Sequence, residues 1–338
     1  MAITTINIGS AANDGTGDTL RAAFGHVNTN FQNFKIEGTN FTGSILIGHN
    51  TTGTLSSAEY NVGVGIGALD SITSGDNIVA IGYNAGTALT SGHSSVAIGY
   101  LALSTETTGR KNVAIGYRAL ATSNPSGYDN INVAVGYDAG YALTTGTQNV
   151  FIGGHAGDSA TSASSNVLIG KNAGHAVGSS NYNVIIGAEA YETDAVAGGT
   201  VAIGYQALQA YQRQNAPGVQ GDIAIGYQAG KTMAGAGAVS KFVLLGYQAG
   251  KDMTRSGANN STIIGYQAGV AITSGNSNTI IGTNAGDALE TGDNNIIIGH
   301  GAAASSTSVD NEITLGDSDI ATIRAQVTSI SSLSDRRD

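Results

Sequence analysis

The residues closest to a catalytic pattern are two groups of carboxylates, Glu189, Glu192 and Asp194 in one and Asp287, Glu290 and Asp293 in the other. Carboxylates so placed can supply the acid and the base that cleave a glycosidic bond. Both groups fall at variable positions where solvated charge is expected, so the chain reads as non-catalytic. Its 6 His are scattered without a His-x-His or His-Glu-x-x-His pattern, and there is no Cys. No metal centre or other cofactor is implied. Recognition chemistry is better represented. Tyr211, Gln212, Arg213 and Gln214 bring aromatic, amide and guanidinium groups into one stretch, and Lys231, Lys241, Lys251 and Arg255 make the section after it locally basic. Groups of this kind suit an anionic surface polysaccharide, and Tyr128 lies in a second such stretch. Tolerated loop variation would leave the same composition. Tyr83, Tyr100, Tyr117, Tyr137, Tyr205, Tyr227, Tyr247 and Tyr266 have a different regularity, each directly following a Gly.

That Gly is the anchor of a repeat. It occurs at Gly48, Gly65, Gly82, Gly99, Gly116, Gly136, Gly153, Gly170, Gly187, Gly204, Gly226, Gly246, Gly265, Gly282, Gly299 and Gly316, and eleven of the fifteen intervals are 17 residues. The others are 20, 22, 20 and 19 residues long. The residue before each anchor is Ile, Val or Leu, and the residue two earlier is Val, Ile or Thr. Side chains at that spacing share one face of a strand, and β-branched types suit it. The position between them, on the other face, is also mostly apolar, as at Ala97, Phe151, Leu168 and Ile280. Three residues past the anchor, Ala recurs from Ala68 to Ala302 and marks a tight corner. Asn four before the anchor and the Thr-Ser-Gly segment supply further bends. Each unit is expected to be one coil of a β-solenoid, with a strand, a corner, a short extended return and a turn. Sixteen coils at the inter-strand spacing give a shaft about 70 Å long.

A solenoid accounts for the composition. The 338 residues include 50 Gly but only 2 Pro, no Trp and 11% charged residues. Disorder and collagen both fail, because Pro is scarce while Ile, Val and Leu are abundant. The acidic balance argues against a nucleic-acid partner. No apolar run reaches the length of a membrane span, and the N-terminus lacks the pattern of a secretory signal. One coil buries too little apolar surface to offset the ordering of its residues. The second strand face is therefore expected to pack against another subunit. In the Tyr column, the alternative to sugar stacking is stacking between coils, and Gln206, Gln228, Gln248 and Gln267 beside it suggest an amide ladder. The insertions, which hold both Pro125 and Pro217, are the expected binding loops.

Resemblances extend this reading. The Val-Ala-Ile-Gly repeats, over roughly residues 44 to 316, are similar to the heads of trimeric autotransporter adhesins, which implies a homotrimeric β-roll. INIGSAANDGTGDTLRAAFGHVNTNF resembles a segment near the start of many tailed-phage virion proteins. The terminal LSDRRD resembles the junction at which phage tail fibres and endosialidases pass into a self-cleaving, trimerising chaperone. By that resemblance Ser334 matches the cleavage nucleophile, but no assisting Lys follows it. The absence of a signal peptide and of a membrane anchor favours a virion fibre over a bacterial surface protein.

The expectation is an all-β, homotrimeric β-solenoid in three parts. Residues 1–40 would form a virion-attachment segment, with a helix over Asp18–Phe34 serving as a short clasp or lying on the shaft. Residues 41–316 would form the shaft, and residues 317–338 a stalk. Such a fibre would join tail or baseplate proteins and bind a host-surface glycan without catalysis. The rival readings are a structural spacer and a polysaccharide-depolymerising tailspike.

Overall fold

A computed structural model describes residues 34–38, 41–47, 54–125, 129–193, 197–211, 218–219, 221–233, 241–254 and 260–324. These form an all-β parallel solenoid of about 14 turns with 17-residue coils. Each coil contributes one three-residue strand centred on the Val-Ala-Ile segment. Val79–Ile81 pairs in parallel with Val96–Ile98, and that strand pairs with Val113–Ile115. The ladder continues to Ile313–Leu315. Its hydrogen bonds run between coils, as from Val96 N to Asn112 O at 2.8 Å and from Gly99 N to Ile81 O at 2.7 Å. At the N-terminal edge the order reverses: Phe34–Gly38 pairs antiparallel with Phe41–Ile47.

Lengthened coils keep this register. Val113 pairs with Val133, Val201 with Ile223, Ile223 with Val243 and Val243 with Thr262, so the extra residues leave the ladder from the turns. The expected extended return is mostly turn and forms no continuous second sheet. The described exception is a two-residue pairing of Ala197–Gly198 with Gly218–Val219. Repeated left-handed residues explain the difference, since strand geometry cannot pass through Asn84 at φ 52° or Gly86 at φ 57°. The return still hydrogen-bonds from coil to coil, as at Thr73 N to Thr90 O.

The anchor shows why a Gly is needed there. Gly82 has φ +133°, and a Cβ on it would lie 2.5 Å from the Gly99 carbonyl oxygen of the next coil. Positive φ and close approach of backbones both exclude a side chain.

The middle strand residue points into the shaft. Ala80, Ala97, Phe151, Leu168 and Ile185 are fully buried, together with the corner alanines and the column Ile72, Leu89, Leu143 and Val177. Its Val and Ile neighbours point outward and remain partly exposed. Asn132, Asn149, Asn166 and Asn183 are buried and form an internal ladder. Asn132 Oδ1 accepts from the backbone N of Asn149, at 3.0 Å, and from its Nδ2, at 3.1 Å. Asn149 Nδ2 also donates to the Ala163 carbonyl at 2.7 Å. These residues supply internal hydrogen bonds, and the bend expected of them falls on the preceding residue, as at Gln148 with φ 62° and Ser165 with φ 59°.

No helix occurs among the described residues. The expected helix lies outside them except for Phe34, which belongs to a strand. Of the expected stalk, Ile320 and Ile323 are exposed and outside any strand.

Candidate functional site

The positions after the anchors form one column along a corner of the shaft. Tyr83, Tyr100, Tyr117 and Tyr137 stack with ring centroids 5.3, 5.1 and 4.9 Å apart. Tyr205, Tyr227, Tyr247 and Tyr266 form a second stack at 5.4, 5.0 and 5.1 Å. Interior ring faces are occupied by neighbouring rings, which leaves edges and hydroxyls toward solvent. A sugar can stack only on the end rungs. Burial, followed by the nearby Glu189 carboxylate, pushes the Tyr205 hydroxyl above its ordinary range.

A second ladder runs beside the Tyr column. Gln267 Nε2 donates to Gln248 Oε1, Gln248 to Gln228 and Gln228 to Gln206, at 2.8, 2.9 and 2.8 Å. The chain ends on Glu189, which accepts from Gln206 at 2.8 Å. All the amides donate in one direction, so the row terminates in a charge-assisted bond. Gln209 donates to Glu189 at 3.3 Å and to Glu192 at 3.0 Å. The two carboxylates offered for glycoside hydrolysis thus accept hydrogen bonds from amides of the shaft. Asp194 lies outside the described residues. In the second group, Asp293 accepts from the Asn276 backbone at 2.6 Å in the same coil-to-coil pattern.

Towards the N-terminus the ladder is ionic. Arg118 Nε donates to Asp138 Oδ1 at 2.8 Å, and its guanidinium lies 4.4 Å from the Tyr141 ring centroid. The Asp138 bond holds the guanidinium even further above its ordinary range. Asp158 lies between two imidazoles, His155 Nδ1 at 3.1 Å and His175 Nε2 at 3.5 Å. Among the described residues, no group of three or more His, Cys, Asp or Glu could hold a metal ion. No helix there is long and apolar enough to cross a membrane.

One expected contact is corrected. Tyr211 is fully buried, its hydroxyl hydrogen-bonds to Asp222 and its ring packs between Tyr191 and Phe242. It occupies the core column held elsewhere by Leu89 and Leu143, so its side chain cannot reach a receptor. Lys231 and Lys251 stand at corresponding positions on the shaft corner, and Lys251 lies 3.4 Å from Asp252. Lys241 is exposed beside the buried Phe242. Gln212, Arg213, Gln214, Arg255, Tyr128 and Ser334 lie outside the described residues.

Sequence reading missed Glu106. It is buried in the core column next after Leu89, accepts from Gly109 N at 2.7 Å and from Asn130 Nδ2 at 2.7 Å, and has its carboxyl pushed up by burial. The detectable signal was an acid at a core position of the repeat.

Compared with protein-family models, curated proteins and solved structures, the chain matches none of them.

Proposed function

We propose that the chain forms a non-catalytic homotrimeric fibre, a phage tail fibre or related virion appendage, that attaches the particle to a host-surface glycan. The observation carrying this reading is the apolar strip on the outer strand face. Val96 and Ile98, Val113 and Ile115, Val184 and Ile186, and their counterparts repeat in register from coil to coil. The strip is on the order of 70 Å long and 7 Å wide. That puts it at the upper end of the apolar patch a soluble monomer exposes. Further copies of the same chain fit it, because an identical period lets every rung meet its equivalent about an axis along the shaft.

Support for a virion role comes from the resemblances at INIGSAANDGTGDTLRAAFGHVNTNF and LSDRRD. The row of bonded amides on Glu189 and Glu192 gives these carboxylates a structural use, which favours binding over hydrolysis. Host contact is assigned to the shaft corner and to the insertions, where Gln212, Arg213 and Gln214 fall.

Adsorption competition tests the reading. The purified protein is expected to bind host cells and block attachment of the particle, and Arg213→Ala to bind less at an unchanged melting temperature. A protein that neither retains cells nor blocks attachment would remove adhesion and leave the spacer. Shortened polysaccharide after incubation would restore the enzyme.

A further inference from the structure

The two Tyr stacks are separated by three coils whose corresponding positions hold Gly154, Lys171 and Ala188. We infer that this gap is a binding notch for a carboxylate-bearing sugar, with the exposed part of Tyr137, at the end of its stack, as its platform and the Lys171 ammonium as its anion partner. The inference deepens the glycan-adhesion reading and rests on it.

Four observations converge on the notch. Tyr137 ends its stack and is 51% exposed, against 39% for Tyr117 within it. Over the next position the space is open, since a Cβ on Gly154 would meet nothing within 4 Å. His155 approaches Tyr137 edge-on, with centroids 5.3 Å apart, and adds an imidazole at the rim.

The charges supply the fourth. Among the described residues, each carboxylate bordering the gap has hydrogen-bond or ion partners: Asp158 faces His155 and His175, Glu189 accepts from Gln206 and Gln209, and Glu192 accepts from Gln209. Lys171 is exposed, and among the described residues its ammonium has no ion pair or hydrogen bond. Those carboxylates keep their charge, so the group in the gap that can pair with a negative ligand is the exposed Lys171 ammonium. Lys171 lies two coils from Tyr137, about 10 Å along the shaft. A pyranose against the exposed part of Tyr137 fits within that span and can present its carboxylate to the ammonium. His155 and His175 are placed to meet its hydroxyls.

The opposite end differs. Tyr205 also ends a stack but is only 41% exposed, close to its inner neighbours, with the Glu189 carboxylate beside it. The platform is therefore one-sided.

The test measures binding of fluorescent trigalacturonate and sialyllactose, and of their uncharged counterparts, to the full-length protein. Wild type is expected to prefer the acidic probes. Lys171→Gln is expected to weaken acidic binding by roughly tenfold or more and to abolish the preference, as for a lost charge-assisted bond. Gly154→Tyr, which extends the stack over Tyr137, is expected to eliminate binding of all probes while leaving the melting curve intact. The inference is overturned if wild type binds neither acidic probe, or if both folded variants bind as wild type does. Cell adsorption by the same proteins separates the two readings. Adsorption undiminished in Gly154→Tyr sinks the notch alone, whereas its absence in wild type sinks adhesion itself.

Discussion

Gly82 and Gly154 both look like ordinary glycines of the repeat, yet their backbones give them opposite tolerances. Gly82→Ala would force a side chain to φ +133° and against the next coil, whereas Gly154 has open space. Thermal unfolding is expected to show a loss of about 3 kcal/mol or more for Gly82→Ala, and almost none for Gly154→Ala. Equal effects would contradict the geometry. The anchor was legible because its position never varies; the freedom at Gly154 was not, because one letter does not show what lies above it. Glu106 carries the clearest pH dependence. Burial makes its carboxyl hold a proton more tightly in the folded chain than in the unfolded one. Its contribution to stability is therefore complete below the ordinary glutamate range and is lost as pH rises through the raised folded value. Glu312 shifts the other way, lowered by its Ser305 contact. The informative quantity is thus the difference between variant and wild type. Glu106→Gln can keep the Gly109 bond and donate to Asn130 Oδ1, which has no partner now. Its melting temperature is expected to gain on wild type as pH rises from about 4. Parallel curves would contradict the assignment.

The strand, the corner and the turn were each legible, because a residue type locked to one position of a 17-residue period must serve one place in the coil. Asn exposed the limit of that logic. The bend falls one residue earlier, as at Gln148 with φ 62° and Ser165 with φ 59°, and the ladder between Asn132 and Asn183 depends on stacking that a single coil does not contain. Tyr211 shows the same limit in reverse. An aromatic beside Gln and Arg in an insertion resembled a contact residue, but its place in the repeat was that of Leu89, and the interior took it. Tyr211→Ala is therefore expected to cost about 3 to 5 kcal/mol by leaving a cavity and removing the hydroxyl bonded to Asp222. A variant that melts like wild type and merely adsorbs less would return Tyr211 to the surface. The Tyr column was legible as a ladder from its spacing; that stacking uses up the interior ring faces was not.

Across the whole molecule, the uniform ladder accounts for a shaft but leaves its outer Val and Ile face partly exposed from coil to coil. Two apolar strand faces were legible; which one looks inward was not, since Ala and Ile can each line a core. Ala on the inner side lets successive narrow coils close. The larger β-branched residues outside are what a second and third copy would cover. Exposure is greatest at the last strand, where Ile313 is 66% exposed. The most direct measurement is the native mass of the purified chain by light scattering. Burial of the strip between copies requires a mass about three times 33.8 kDa. A particle of about 33.8 kDa that remains folded and soluble would contradict the fibre, because its outer face would then have no partner.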